Sequence, residues 1–440
     1  MKRILNIILI LISLNGLLYG ETYSLKQIME LVESNSKDLN MAQTERKLAA
    51  VQEDLARSAV LPMIAGNVNY TRNFLGIEQP VPVRSISGGG PLVYQDMVVN
   101  NDNDFSFGVS VQQKIFDMKV FRALEASQQY RTLTGSVYKA THQGITTASK
   151  KIFYQVLLLQ EVYLVKKATE QNAYDNYLVV KNKYENELVS ELDMLQAEVN
   201  WKIKIPDSTQ AEKNYNLALS HLKHMAGIKL EEDILLQGSL LEYPELPATK
   251  NLSEILASRP DYQALINEKT LREINVEAKI AEFYPSLSAS LTYGWQKSDN
   301  GFDLGEGTKV LSAGLSLTIP VFYGGSRLAL LEKAKLELNI TNTTVLKKEE
   351  DVQIQINNIF LTLKEARGRI DSADTTLKVA EKVYSLSETS VNNGLATQLD
   401  LKDASLNLEG AQLNYYTAIF DYLNAYFDWQ QATGIGDVLL

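Results

Sequence analysis

The order of apolar and polar positions sets the architecture of this chain. Between Ser326 and Gly394, a stretch without proline, Val345, Val352, Ile359, Ala366, Ala373 and Ala380 recur every seventh residue, and Ile356, Leu363, Ile370, Leu377, Tyr384 and Val391 keep a second heptad beat on the same side. One apolar seam over that length predicts a single helix. At 1.5 Å per residue it would measure roughly 100 Å, so it has to pack along its length against similar helices. The pattern breaks at Val391-Asn392-Asn393-Gly394, where Gly394 suits a helix end that needs positive φ. The chain then returns with Leu401, Ala404, Leu408, Ala411, Tyr415, Ala418, Tyr422, Ala425 and Trp429 spaced three and four apart. These two segments predict a long antiparallel hairpin.

The same order occurs once before. Ser24 caps a helix expected from about Leu25 to Ser58, interrupted near Ser34 to Ser36 and closed by Pro62. The period then changes to two: Ile64, Val68, Tyr70 and Phe74 alternate with small polar residues. After a loop rich in Gly, Pro and Asn from Gly76 to Asp104, so do Phe105, Phe107, Val109 and Val111. A proline-free helix is expected from Met118 to Tyr184, a turn from Asn186 to Val189, and a return helix from Glu191 to Met225 that Pro206 kinks or breaks. A second helix over 252–283, interrupted at Arg259-Pro260-Asp261, leads to two more alternating strands, through Leu287, Leu291, Tyr293 and Trp295 and through Leu311, Leu315, Leu317 and Ile319. Asp193 and Asp400, Tyr215 and Tyr422, Ala218 and Ala425, and Gly227 and Gly434 all stand 207 positions apart, which marks an internal duplication. The expected organisation is a first repeat over 21–228, a linker over 229–250, a second repeat over 251–436 and a tail over 437–440. Strands are expected at about 63–75, 104–114, 286–297 and 310–320.

A half-buried strand of a soluble sheet also alternates. Four such strands whose polar faces are Ser, Gly, Thr and Asn rather than charged match the outer-membrane barrel pattern, apolar outside and polar inside. Tyr70, Phe74, Phe105, Tyr293 and Trp295 lie towards strand ends, where interfacial girdles sit. Four strands cannot close a barrel and lipid tolerates no open edge, so other copies must complete it. Two copies would give eight strands, which fill their own interior, whereas three would give twelve and leave a lumen. A trimer is the favoured expectation, with the hairpins continuing the pore as a helical tube. A solid coiled-coil stalk is the competing arrangement.

Composition narrows this further. A net charge of -10 with no basic stripe disfavours nucleic acid. The first 20 residues read as a signal peptide, with Lys2 and Arg3, an apolar run from Ile4 to Leu14, and Gly20 at a plausible cleavage point; the competing membrane anchor is disfavoured by the shortness of the run. With no cysteine there is neither a disulfide framework nor a thiolate metal site. His221 and His224 could meet on a helix face, but near the end of a helix beside Lys223 surface histidines are ordinary. No phosphate loop, hydrolase elbow or cysteine nucleophile is present, so neither an enzyme nor a cofactor is expected.

Four short motifs stand out: Ser258-Arg259-Pro260-Asp261-Tyr262, Tyr284-Pro285-Ser286-Leu287, Leu317-Thr318-Ile319-Pro320-Val321-Phe322-Tyr323-Gly324-Gly325, and Asn393-Gly394-Leu395-Ala396-Thr397-Gln398-Leu399-Asp400 at the second turn. Together they resemble the TolC-like outer-membrane efflux proteins over essentially all of the chain after the signal. The resemblance implies a mainly helical protein whose duplicated hairpins form a periplasmic α-barrel, with four strands per protomer in a trimeric 12-stranded β-barrel. The implied protein sits in outer-membrane lipid as the exit duct of a tripartite efflux system, docked through a periplasmic adaptor protein on an inner-membrane pump. A duct for type I-like protein secretion is the alternative within transport, and a structural trimeric stalk the alternative outside it.

The resemblance also implies which residues matter at the tips. Asp400 and Asp403, three apart on one helix face, fall at the periplasmic entrance gate, with Asp193 as their counterpart in the first repeat; complementing a helix dipole is the competing role for these acids. The adaptor-contact tips are Asn393, Gly394, Leu395 and Ala396 in the second hairpin, and Glu187 and Leu188 in the first. Three departures stand out. Lys114 replaces Pro320 and Met118-Lys119 replace Gly324-Gly325 at the first strand-to-helix corner, Glu187 stands where the second repeat has Gly394, and Ala396 occupies a position that carries an arginine in some relatives.

Overall fold

The computed structural model describes residues 21–83 and 93–434. The expected signal peptide over 1–20, the expected tail over 437–440 and the middle of the loop after Gly76 lie outside them. The described residues divide into two compact units, one built from 21–46, 134–266 and 344–434, the other from 47–133 and 267–343.

The second unit carries the sheet. Strands Met63–Arg72, Asn103–Phe116, Ser286–Asp299 and Thr308–Thr318 pair antiparallel in that order. Their register makes two chemically distinct faces. Ile64, Val111, Leu291 and Ala313 stand side by side across all four strands, as do Gly66, Val109, Tyr293 and Leu311. One position along, Ala65, Ser110, Thr292 and Ser312 form the next row, and Asn69, Ser106, Gln296 and Thr308 another. Because the side-chain period is two, a slip of one residue would exchange the faces, so this polarity difference holds the register. Large apolar side chains on the first face are exposed, Leu315 by 75% and Val68 by 78%.

The loop from Gly76 to Asp104 is not structureless. It carries a hairpin of Glu78–Val83 and Val93–Val98. Pro80 and Pro82 pair with Asp96 and Tyr94; proline is tolerated in an edge strand but masks the strand signal. The two strand-to-helix corners differ in construction. In the second repeat Gly324 and Gly325 take φ of 59° and 80°, a conformation that glycine adopts without penalty. In the first, the strand runs on to Phe116 with an irregularity between Lys114 and Phe116, and Asp117 accepts a hydrogen bond from the Lys119 amide at 3.1 Å to begin the helix.

The first unit is helical. Its longest elements belong to the helices Met118–Glu185 and Ser326–Asn392, of 68 and 67 residues. Half of the expected heptad seam is buried, at Val345, Val352, Leu363, Ala366, Ile370 and Val391, and the other half, at Ile356, Ile359, Ala373, Leu377, Ala380 and Tyr384, is half-buried. Leu363, Ala366 and Ile370 share one buried cluster with Ala418, Tyr422 and Trp429 of the helix Gln398–Thr433. The tyrosines of the first long helix also pack between helices, Tyr163 on Tyr215 and Tyr177 on Trp201. The return helix of the first hairpin is broken at Ile203 into Glu191–Lys202 and Lys204–Ala226, three residues before Pro206.

The linker is more ordered than expected. Ile234–Gln237 pairs in parallel with Glu21–Ser24, and Tyr422 donates to the carbonyl of Pro244 at 3.0 Å. At the helix interruption, buried Arg259 donates to both oxygens of Asp261, to Gln355 and to the carbonyl of Ala432. Lys348 closes on Asp261 at 2.9 Å. This one guanidinium ties three helices together.

Candidate functional site at the hairpin tips

Both tips are built by the same local chemistry. Each long helix ends with a residue in the left-handed region, Glu187 at φ 57° and Gly394 at φ 73°. The following amides, of Leu188 and Leu395, reach back to the carbonyls of Lys183 and Ser390 at 2.8 Å, which is the Schellman arrangement. Each return helix then begins on a capping box. Ser190 accepts from the Asp193 amide while the Asp193 carboxylate accepts from the Ser190 amide and hydroxyl at 3.2 and 2.6 Å. Thr397 and Asp400 do the same at 2.8 and 2.7 Å. Such boxes satisfy backbone amides that a helix start leaves unpaired.

The expected entrance acids therefore have a structural task as well. Asp400 is exposed, and hydrogen bonds from the Thr397 hydroxyl and amide hold its carboxyl below the usual range. Asp403 is exposed one turn further along the same face. Asp193 is half-buried in its own cap. At the tips, Asn393, Gly394 and Glu187 are exposed, Ala396 is half-buried, and Leu188 and Leu395 present 72% and 82% of their surface. A side chain at Gly394 would meet nothing within 4 Å, so its need for glycine is conformational.

The two hairpins meet just above the tips. Asn176 of the first donates to Gln398 of the second at 2.9 Å. Beside that bond lies a cavity of about 350 Å³ lined by Leu195, Val199 and Asn200 from one hairpin and Leu399 and Lys402 from the other. Further along, Glu409 is buried, and Lys166 and Lys204 both close on its carboxylate, Lys204 at 2.7 Å. Burial opposes ionisation of Glu409, but hydrogen bonds from Lys166 and Lys204 outweigh it and hold the carboxyl below its usual range. Sequence reasoning missed this triad, because three separate helices contribute it and no spacing announces it. The capping boxes had a readable signal in Ser190-x-x-Asp193 and Thr397-x-x-Asp400. Among the described residues, no group of three or more His, Cys, Asp or Glu could hold a metal, and no helix is long and apolar enough to cross a membrane.

A four-stranded antiparallel sheet with one apolar face, and long helical hairpins that occur twice in the same chain, are features of an outer-membrane channel subunit. The chain belongs to the outer membrane efflux protein family, whose model matches residues 28–227 and 251–434. It is similar to the outer membrane protein TolC of Escherichia coli strain K12, 21% identical over 443 residues covering 92% of this chain and 81% of that protein. It is similar to the alkaline protease secretion protein AprF of Pseudomonas aeruginosa at 21% identity, covering 85% of this chain and 76% of the relative. Among solved structures, the CmeC outer membrane channel of Campylobacter jejuni superimposes with a TM-score of 0.80 at 20% identity, covering 93% of this chain and 85% of that one. The outer membrane protein VceC of Vibrio cholerae gives 0.73 at 18%, covering 93% and 96%. The protein is thus an outer-membrane duct of the efflux and secretion class, extending into the periplasm, and its relatives are channels rather than enzymes.

Proposed function

We propose that three copies of this chain close into one duct that passes small molecules out of the cell, receiving them from an inner-membrane pump through a periplasmic adaptor protein. The observation that carries this is the four-stranded antiparallel sheet, with an apolar face and two unpaired edge strands, Met63–Arg72 and Thr308–Thr318. In lipid those edges must pair. The alternation of strand direction lets the last strand of one copy run antiparallel to the first strand of the next, so each added copy preserves the ladder. Twelve strands leave a lumen where eight would not. In this reading the exposed tips around Leu188 and Leu395 meet the adaptor, and Asp400 and Asp403 from three copies narrow the entrance with carboxylates.

Purified protein in a planar bilayer should form trimers that conduct steadily, and multivalent cations added on the periplasmic side should block them. Equal block of the Asp400→Ala, Asp403→Ala variant would remove the entrance acids from the proposal, and an assembled protein without conductance would remove the duct. Cells lacking the gene should accumulate a fluorescent efflux dye, and the restored gene should reverse this. The similarity to an alkaline protease secretion protein favours one second reading, polypeptide export. Normal dye levels together with loss of a protein from the spent medium would select it.

A further inference from the structure

The apolar face of the sheet carries charge at one end only. The strand ends near Met63, Phe116, Ser286 and Thr318 lead to helices, whereas the opposite ends are joined in pairs by loops, Arg72 to Asn103 and Asp299 to Thr308. In an outer-membrane duct whose helices extend into the periplasm, the loop ends face outwards. On the apolar face Arg72, Lys297 and Lys309 all stand at that end, while the rows nearest the helices, through Leu287, Leu317, Ala289 and Leu315, hold no cation. A charge on a lipid-facing strand is costly at the middle of the bilayer and nearly free at either border, so cost alone would admit cations at both. Their confinement to one border points to something anionic on that side.

The three cations are not equally available. Lys297 is held by Asp303 and largely covered, and Arg72 is shared between Asp102 at 3.1 Å and the Asn103 side chain at 2.9 Å. Lys309 is exposed and has no ion pair or hydrogen bond among the described residues. It stands opposite Trp295 in the register, whose indole N–H is a second donor without a partner among them. From Leu317 to Lys309 the strand rises roughly 27 Å at ~3.4 Å per residue, or about 21 Å of height at a tilt of ~40°. An apolar band about 25 Å tall therefore ends just beyond Lys309, within reach of its flexible stem. Tyr70, Phe105 and Phe302 pack together at the same border, with ring centroids 4.9 Å and 5.7 Å apart, as an interfacial girdle does.

We propose that Lys309 and Trp295 form a binding site for the headgroup phosphate of an anionic glycolipid in the outer leaflet, repeated on each copy of the chain. The proposal rests on the duct reading above. An ammonium and an indole N–H side by side offer two donors to one phosphate, and a charge-assisted bond is stronger where lipid and aromatic rings displace water. Lys309 belongs to Thr308–Thr318, an edge strand that the next copy has to cover. Its side chain points to the lipid face whatever pairs with that edge, so the bound lipid lies on the seam between copies and couples lipid binding to trimer stability.

The test is native mass spectrometry of the detergent-purified trimer titrated with lipid A bearing its phosphates. The natural protein should take up one lipid per copy. Lys309→Gln should bind about fivefold more weakly, the worth of one basic group at a membrane surface, and Lys309→Arg should bind nearly as well as the natural protein. Trp295→Phe keeps the ring and removes the donor; it should bind about threefold more weakly and keeps the test available if Lys309→Gln fails to assemble. Lys114→Gln, which removes a cation from the polar face of the same sheet, should bind normally. Lipid A stripped of phosphate and phosphatidylglycerol should each bind about fivefold more weakly than intact lipid A. Undiminished binding by assembled Lys309→Gln or Trp295→Phe protein would overturn the site, and equal binding of phosphatidylglycerol would overturn the assignment to the outer-leaflet glycolipid. Purified natural protein that forms no trimer would instead overturn the duct reading.

Discussion

Glu187 and Gly394 occupy the same place in two equivalent turns, and only one of them suits it. A non-glycine residue in the left-handed region costs about 1–2 kcal/mol, whereas glycine gives back about 0.5–1 kcal/mol through the greater freedom of its unfolded chain. Glu187→Gly should therefore stabilise the first tip by about 0.5–1 kcal/mol, and amide exchange over 183–190 should slow roughly two- to fivefold. Gly394→Ala should speed exchange at the second tip by a similar factor, with no steric contribution, since the added carbon meets open space. Asp400 belongs to the same scale. Its lowered carboxyl pKa means that its contribution to the cap is present above the ordinary carboxylate range and lost as the pH falls through the lowered value. Corrected for intrinsic rates, exchange at 398–401 should accelerate on acidification in the natural protein and show no such step in Asp400→Asn. Thr397→Ala should weaken the cap by about 1 kcal/mol at every pH.

At the scale of elements, the Arg259 junction decides how the interrupted helix meets its neighbours. Arg259 is 5% exposed, so removing Asp261 leaves its charge with only neutral partners. Asp261 itself is partly open to solvent, which reduces the loss from the 3–5 kcal/mol of a fully buried pair to about 2 kcal/mol for Asp261→Ala. Burial works against the Asp261 carboxylate, but Arg259 and Lys348 hold its pKa far below the ordinary range. Its contribution is then complete above about pH 4 and declines below it, so the melting midpoints of natural and Asp261→Asn protein should converge on acidification. The sequence showed the break at Arg259-Pro260-Asp261 but not this bonding. The same division runs through the fold. The long helices and the four alternating strands were legible because period seven and period two are local patterns with many repeats. The parallel pair Glu21–Ser24 and Ile234–Gln237 was not, since four residues joined across more than two hundred positions leave no periodic trace. The hairpin in the 76–104 loop was hidden by Pro80 and Pro82. At the tips the turn residues and acids could be placed from sequence, whereas the Glu409 triad depends on three helices converging.

For the whole molecule, the two faces of the sheet should carry different consequences for the same substitution. Leu291 and Thr292 are neighbours in one strand, at nearly the same depth, and stand in rows that run across all four strands, the first apolar and the second polar. If the apolar rows meet lipid and the polar rows line a lumen, depth cancels in the comparison and only the face remains. Arginine at a lipid-facing position near the middle of the bilayer costs roughly 2–4 kcal/mol, while a lumen position keeps its charge in water. Leu291→Arg should thus reduce the yield of heat-resistant trimer in outer-membrane fractions. Thr292→Arg should assemble at the natural level and shift the reversal potential of the channel towards anions, since three added guanidinium groups would share one cross-section of the pore. Should the two variants assemble equally well, the sheet would not be sorting lipid from water by face. The closure of its edges by neighbouring copies would then need another cause.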